Sequence, residues 1–280
     1  MNATMAAPIF RPNSDLHGYA LSELNLSTLD LRRVNLCDAR IANSDFGECR
    51  LSEANFSRAR IEGVNLADAD LCRVALSGAL VAGVNMAGAI LLEADLIDLV
   101  LTASNLQRCC AHAANWGRSQ FPGTSFRLAD LSLCTFHYCR GNMASFERAS
   151  LLSNQWQDTV VEDGNFEFAD LRNAVFRRCW FTRCNFVGAA LEGTQFIECD
   201  LTGADFYWSD FDDSKCFNCT LTDIRRPEEQ KIAYGPKGVN PPVVVPKPLY
   251  RQAISEEERQ KILAEALQAP PEPTKSTDPK

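Results

Sequence analysis

The residues of this chain whose types could do chemistry are twelve cysteines and three histidines, which could hold zinc, pair as disulfides or cycle between redox states. Cys109, Cys110 and His112 even cluster within four positions. Their spacing points elsewhere. One CxxC pair occurs, Cys216 and Cys219, with no second such pair to complete a four-ligand set, and Cys49, Cys109, Cys134, Cys139, Cys179, Cys184, Cys199 and Cys219 differ from one another by multiples of five, the mark of a repeat rather than a ligand set. His17, His112 and His137 have no nucleophile or ligand companion at motif spacing. Neither a phosphate-binding glycine loop nor a nucleophile elbow is present. The sequence thus assigns no catalytic, cofactor or metal residue, and the chain reads as a non-enzyme.

The element that would position these residues is a register of five. From Leu16 to Leu221 every fifth residue, forty-two in all, is Leu, Phe, Ile, Met, Val or Trp at thirty-nine places, the exceptions being Ala111, Gly141 and Cys216. On an α-helix five residues turn through about 500°, so large side chains would drift around the axis. On a continuous strand an odd spacing sends them to alternate sides. All can share one interior only if the chain turns a corner every five residues. Two places before each large residue stand small ones, fifteen Ala, eight Cys and nine Ser or Thr among forty-two. Immediately before it come nineteen Asp or Asn, whose side chains favour local turn hydrogen bonds. A cysteine at the small position acts as a compact hydrophobe. Cys109 should therefore point inward while His112 points out.

A unit of small, Asp/Asn, large, polar and variable residues, plain in AlaAspLeu at 69–71 and AlaAspPhe at 204–206, resembles the pentapeptide-repeat family over residues 14–224. The resemblance implies an all-β fold, a right-handed quadrilateral parallel β-helix with four units per coil and about ten coils. Residues twenty apart should then stack, and Leu31, Leu51, Leu71 and Leu91 form one such column while Phe126, Phe146, Phe166, Phe186 and Phe206 form another. At about 4.8 Å per coil the rod should be about 50 Å long. Unlike many gyrase-protecting members of the family, this chain shows no loop interrupting residues 14–224.

Residues 1–13 read as an N-terminal extension, 14–224 as the solenoid, 225–254 as a Pro-rich extended segment, 255–268 as a short amphipathic helix and 269–280 as a disordered tail. The tail should cap the open end of the rod or meet a partner. The uncharged run 74–92 is long enough for a membrane helix, but the register continues through Leu76, Val81, Met86 and Leu91, so no membrane span is expected. With no secretory signal at the N-terminus, a reducing cytoplasm is the expected setting and the cysteines should be free.

Function should then lie on the outside. Leu80, Val100, Val160 and Trp180 occupy one face at the position where Asp or Asn is usual, and Leu80 and Val100 should be vertical neighbours forming a patch with Ile90 around the corner. Leu92, Ile97, Phe168 and Trp208 add outer apolar positions. A second surface is acidic: Glu198, Asp200, Asp205, Asp210, Asp212 and Asp213 crowd the last coil, opposed mainly by Lys215. The net charge is −8, with eighteen positive and twenty-eight negative groups in residues 1–224. A duplex 50 Å long carries roughly thirty charges, so the rod's excess of ten is about a third of that. The expectation is a protein-interaction scaffold or adaptor with a protein partner, a homodimer among the options, and no direct nucleic-acid binding. A DNA-mimicking modulator of a type II topoisomerase is the alternative, and an architectural spacer or enzyme accessory a further one.

Overall fold

In the computed structural model, which describes residues 9–212 and 215–226, the five-residue register becomes a parallel β-solenoid. Every backbone pairing joins residues twenty apart: Asp15 with Asn35, Asn65 with Asn85, Ile90 with Cys110, Asn185 with Asp205. One coil is therefore twenty residues with four faces, centred on the columns that begin at Leu16, Leu21, Leu26 and Leu31, here called the first to fourth faces. The ladder runs through about ten coils.

Each corner is made the same way. The large residue points inward, its N–H donates to the following coil, as from Leu16 to the Asn35 carbonyl at 2.7 Å, and the residue two places on has positive φ, for example 57° at Asp38 and 59° at Arg33. Left-handed backbone is unfavourable for a residue with a Cβ. Through most of the rod such an N–H gains a partner in the next coil, as Arg33 does on the Ser52 carbonyl at 3.0 Å. The Asp and Asn residues do what their chemistry suggests: Asn65 Oδ1 accepts the Ala67 N–H, while its Nδ2 donates to Asp45 at 2.8 Å and its Oδ1 receives Nδ2 of Asn85 at 3.1 Å. An amide ladder thus stitches the third face from coil to coil.

Two halves differ. Of the twenty large positions from Leu16 to Ala111 two are aromatic, against thirteen of twenty from Trp116 to Phe211, so the interior passes from aliphatic to aromatic. The Phe column stacks almost parallel, with Phe146–Phe166, Phe166–Phe186 and Phe186–Phe206 centroids 4.8, 4.8 and 4.9 Å apart, close to the interstrand spacing. The longer strands also change face. β1 (Ala20–Ser22), β2 (Arg40–Ala42), β3 (Arg60–Glu62), β4 (Leu80–Ala82) and β5 (Val100–Thr102) form a sheet on the second face. β6 (Thr135–His137), β7 (Gln155–Gln157), β8 (Val175–Arg177), β9 (Gln195–Ile197) and β10 (Cys216–Phe217) form one on the first. On the second face the series ends at Phe121-Pro122-Gly123-Thr124, where Pro and Gly suit the two central places of a tight turn and Thr124 N–H closes it on the Phe121 carbonyl.

At the extended corners the residue before the next unit is never Ala: it is Leu24, Ser44, Val64, Val84 or Ser104 in the first half and Cys139, Thr159, Cys179, Cys199 or Cys219 in the second. Their polar atoms bond the backbone. Ser104 Oγ donates to the Thr102 carbonyl at 3.0 Å and accepts Val84 N–H, and Thr159 repeats both bonds with Gln157 and Cys139. The cysteines therefore do more than fill space. Cys134, Cys139 and Cys184 thiols donate to carbonyls of the preceding coil at 2.9, 3.0 and 2.9 Å. Burial pushes the Cys139 thiol up to about 11, so it stays a donor at neutral pH. None of the twelve cysteines forms a disulfide.

Gly141 is accommodated rather than neglected. The Phe121 ring fills the space its side chain would take, and a Cβ there would fall onto that ring. The register does lapse once. Ala190 lies beside no bridged residue at 210; instead Leu191 N–H donates to Asp210 Oδ1 at 2.5 Å and Lys215 Nζ donates to the Leu191 carbonyl at 3.0 Å, so two side chains replace a strand. The expected extended segment, helix and tail beyond residue 226, and residues 1–8, lie outside the described residues. Among the described residues no helix is long and apolar enough to cross a membrane.

Candidate interaction surfaces

On the second face the residues preceding the large ones form a single outward column. Arg60 pairs with Leu80 and Leu80 with Val100; Val100 pairs with Gln120, Gln120 with Arg140, Arg140 with Val160 and Val160 with Trp180. Leu80 and Trp180 are each 44% exposed, while Val100 and Val160 are partly covered. The column therefore carries two apolar pairs, Leu80–Val100 and Val160–Trp180, with Gln120 and Arg140 between them. Val100 and Val160 are three coils apart, or about 14 Å.

Ile90 does not join this patch. It lies ten residues from Leu80, half a coil, which places it on the opposite face rather than around the corner. There it packs against Cys72, Leu92 and Cys110, all buried. Leu92, expected outside, is 1% exposed for the same reason. On the fourth face the residue after the large one is buried at Ser52, Cys72, Leu92 and Ser132 and exposed at Arg172 and Glu192; where buried it meets the residue preceding the large one of the next coil, as Ser52 Oγ does Asp70 Oδ2 at 2.5 Å and Ser132 does Ser150 at 2.7 Å. Cys110 is thus part of this small outer cluster, Cys109 faces the main core and His112 is half-buried. Ile97 is half-buried, and Phe168 lies partly covered beneath the Arg148 guanidinium. Trp208 is exposed and stacks on Tyr207, whose ring also carries the Arg225 guanidinium 4.1 Å from its centroid.

The acidic residues do not make one surface. Glu198 sits at a corner beside the first face, Asp200 on the second face, Asp205 on the third, and Asp210 and Asp212 on the fourth; Asp213 lies outside the described residues. Lys215 is not the only opposition. Asp205 pairs with Arg225 at 3.2 Å and Asp210 with Lys215 at 3.7 Å, while Asp200 accepts the Thr202 N–H and hydroxyl.

Sequence reasoning missed a pattern in the corners. Acidic and arginine residues twenty apart lie side by side: Arg58 on Asp38, Arg118 on Asp98, Arg178 on Asp158 and Arg183 on Asp163, each through two hydrogen bonds of 2.6–2.9 Å. Arg33–Glu53 and Arg73–Glu93 repeat the motif at another corner. The bidentate arginine lowers its partner's carboxyl in all four Asp cases, to about 2 at Asp158. The spacing of twenty was a visible signal. Among the described residues one further convergence stands out, His17, Cys37 and Asp38, whose donor atoms lie within 4.8 Å of one another.

Four faces, a twenty-residue pairing period and inward columns define a repeat solenoid whose interior is structural and whose outside is free to vary. A family model for pentapeptide repeats matches in eight copies, over residues 30–68, 49–86, 165–194 and 179–215. The chain belongs to the pentapeptide-repeat family. No curated protein matches it. Similar solved structures include HetL, a pentapeptide repeat protein involved in heterocyst differentiation regulation from the cyanobacterium Nostoc sp. strain PCC 7120, at 21% identity over 78% of this chain and 89% of that one, with a TM-score of 0.32. A trypsin-treated form of QnrB1, a plasmid-mediated fluoroquinolone resistance protein, shows 19% identity over 76% of this chain and 91% of that one, TM-score 0.36. Rfr23 from the cyanobacterium Cyanothece 51142 shows 16% identity over 52% and 86%, TM-score 0.20. The pairing register, not these superpositions, establishes the fold.

Proposed function

We propose that the protein is a non-enzymatic scaffold whose second face engages a protein partner, a second copy of the chain included, in a reducing compartment. The observation that carries this reading is the column holding Leu80–Val100 and Val160–Trp180. Filling the core requires nothing apolar there, and the same column elsewhere holds Arg40, Arg60, Gln120 and Arg140. Paired apolar groups on a rigid ladder, rimmed by arginines, have the composition of a contact centre with a polar edge.

Mimicry of a DNA phosphate track is disfavoured by charge pairing. A track needs a run of open carboxylates, whereas Asp38, Asp98, Asp158 and Asp163 each carry an arginine one coil away. The test is a double substitution, Leu80→Glu with Val100→Glu. Water solvates the new charges in the free rod, while a dry contact would bury them at high cost. For the scaffold, the mass by light scattering or the partner capture should drop with the circular dichroism spectrum unchanged; unaltered mass together with unaltered capture would remove the second face from the reading.

A further inference from the structure

The N-terminal end of the rod gathers three kinds of metal donor from two successive coils. His17 and Cys37 occupy equivalent places twenty residues apart on the first face, and Asp38 follows Cys37 at the corner. Their backbones are fixed against one another, since Leu16 N–H donates to the Asn35 carbonyl and Gly18 N–H to the Cys37 carbonyl at 2.7 and 2.9 Å. Cys37 Sγ lies 3.4 Å from Asp38 Oδ2, and His17 Nδ1 lies 3.8 Å from the same oxygen. Zinc bonds of about 2.0–2.3 Å in a tetrahedron place neighbouring donor atoms roughly 3.3–3.7 Å apart, so two edges are already near that size. The third closes by rotation of the exposed His17 ring.

We propose that His17, Cys37 and Asp38 bind one divalent cation of the zinc class, with water in the fourth position, and so fasten the first coil to the second. The mixed imidazole, thiolate and carboxylate set suits a borderline-soft ion such as Zn2+ and disfavours Mg2+ or Ca2+, which take oxygen donors. Arg58 is the competitor. Its Nε holds Asp38 Oδ1 at 2.9 Å, while Nη2 lies 2.6 Å from Oδ2 and 3.1 Å from Cys37 Sγ. On binding, Nη2 gives up Oδ2 and Nε retains Oδ1, which leaves the carboxylate oriented by an arginine outside the coordination shell. Among the described residues the first coil has a neighbouring coil on one side only, where a staple between coils has most effect on opening.

The experiment is a Co2+ titration of the full chain, purified free of metal under a phosphine reductant, read by absorbance. Binding at this site gives a thiolate-to-cobalt charge-transfer band and intense four-coordinate ligand-field bands that saturate at one equivalent. Cys37→Ser should abolish the charge-transfer band, and His17→Ala and Asp38→Asn should weaken binding by roughly tenfold or more. His17 is exposed and Cys37 lies outside the inward columns, so both variants keep the core. At one fixed Zn2+ concentration, near the wild-type dissociation constant, the melting temperature should rise more in the wild type than in His17→Ala. No band in the wild type, or an undiminished band in Cys37→Ser, overturns the proposal.

Discussion

The coils up to Ala111 and those from Trp116 onward share a period, a corner geometry and an outward ladder, yet they are built from different interiors. In the first half Leu, Ile, Val and Met fill the rod; in the second, Phe and Trp rings stack at the coil spacing and meet edge-on across corners, as Phe166 does with Phe181 at 5.7 Å and 89°. Aromatic pairs in these geometries add to simple burial. The comparison teaches that the repeat specifies the path of the chain, while residue choice within it decides how much each coil contributes and which corner opens into a longer strand.

The comparison is sharpened most by truncating equivalent residues of one column. Phe166→Ala removes a ring stacked on both sides and should cost about 3–5 kcal/mol, more than Leu66→Ala in the aliphatic half, by chemical denaturation. Equal losses would show that stacking adds nothing here. Next comes Gly141→Ala. The new methyl meets the Phe121 ring, so the variant should lose about 1–3 kcal/mol by overpacking, and Phe121→Leu in the same chain should recover part of it. A neutral Gly141→Ala would mean the ring does not occupy that space.

Acid should act through the corner pairs. Arg178 holds the Asp158 carboxyl at about 2, below the ordinary 3.8, so the folded state binds its proton less readily than the unfolded one. Stability from the pair is complete above the unfolded value and drains as pH falls through the folded one. The melting temperature should therefore decline between about pH 5 and pH 2, and less steeply in Asp158→Asn. An identical slope in that variant would show that the exposed pair contributes nothing measurable. The smallest effect is expected at Trp156. Its indole N–H is buried without a hydrogen-bond partner, and its ring lies between Phe136 and Phe176. Trp156→Phe loses some packing but removes an orphan donor, and the two should leave stability within about 1.5 kcal/mol of wild type.

The solenoid was legible because an odd short period admits no helix or strand, and because columns such as Phe126 to Phe206 repeat at twenty. The surface was legible only where the same arithmetic reached it. Leu80 and Val100 differ by a coil and do pair, but Ile90 differs by half a coil and so lies opposite. Leu92 was misplaced because its burial depends on the side chains of the next coil, which sequence position alone does not reveal. The change of extended corner after Val100 had no readable cause, since Val and Cys precede closed corners at Val34 and Cys49 as well as open ones at Val64 and Cys139. His17 and Cys37, by contrast, stand twenty apart and could have been found.

The direct test of the scaffold is a photo-crosslinking residue placed in turn at Val100 on the second face and at Asn105 on the third, in the source cell. The two positions lie one corner apart on the same rod; since Asn105 also bonds Asn85 and Gln107, circular dichroism and immunoblotting must first show that the two variants match in folding and abundance. A discrete crosslinked protein band from Val100, absent from Asn105, is the predicted result; equal crosslinking from both, or a band from Asn105 alone, would contradict a partner docked on the second face.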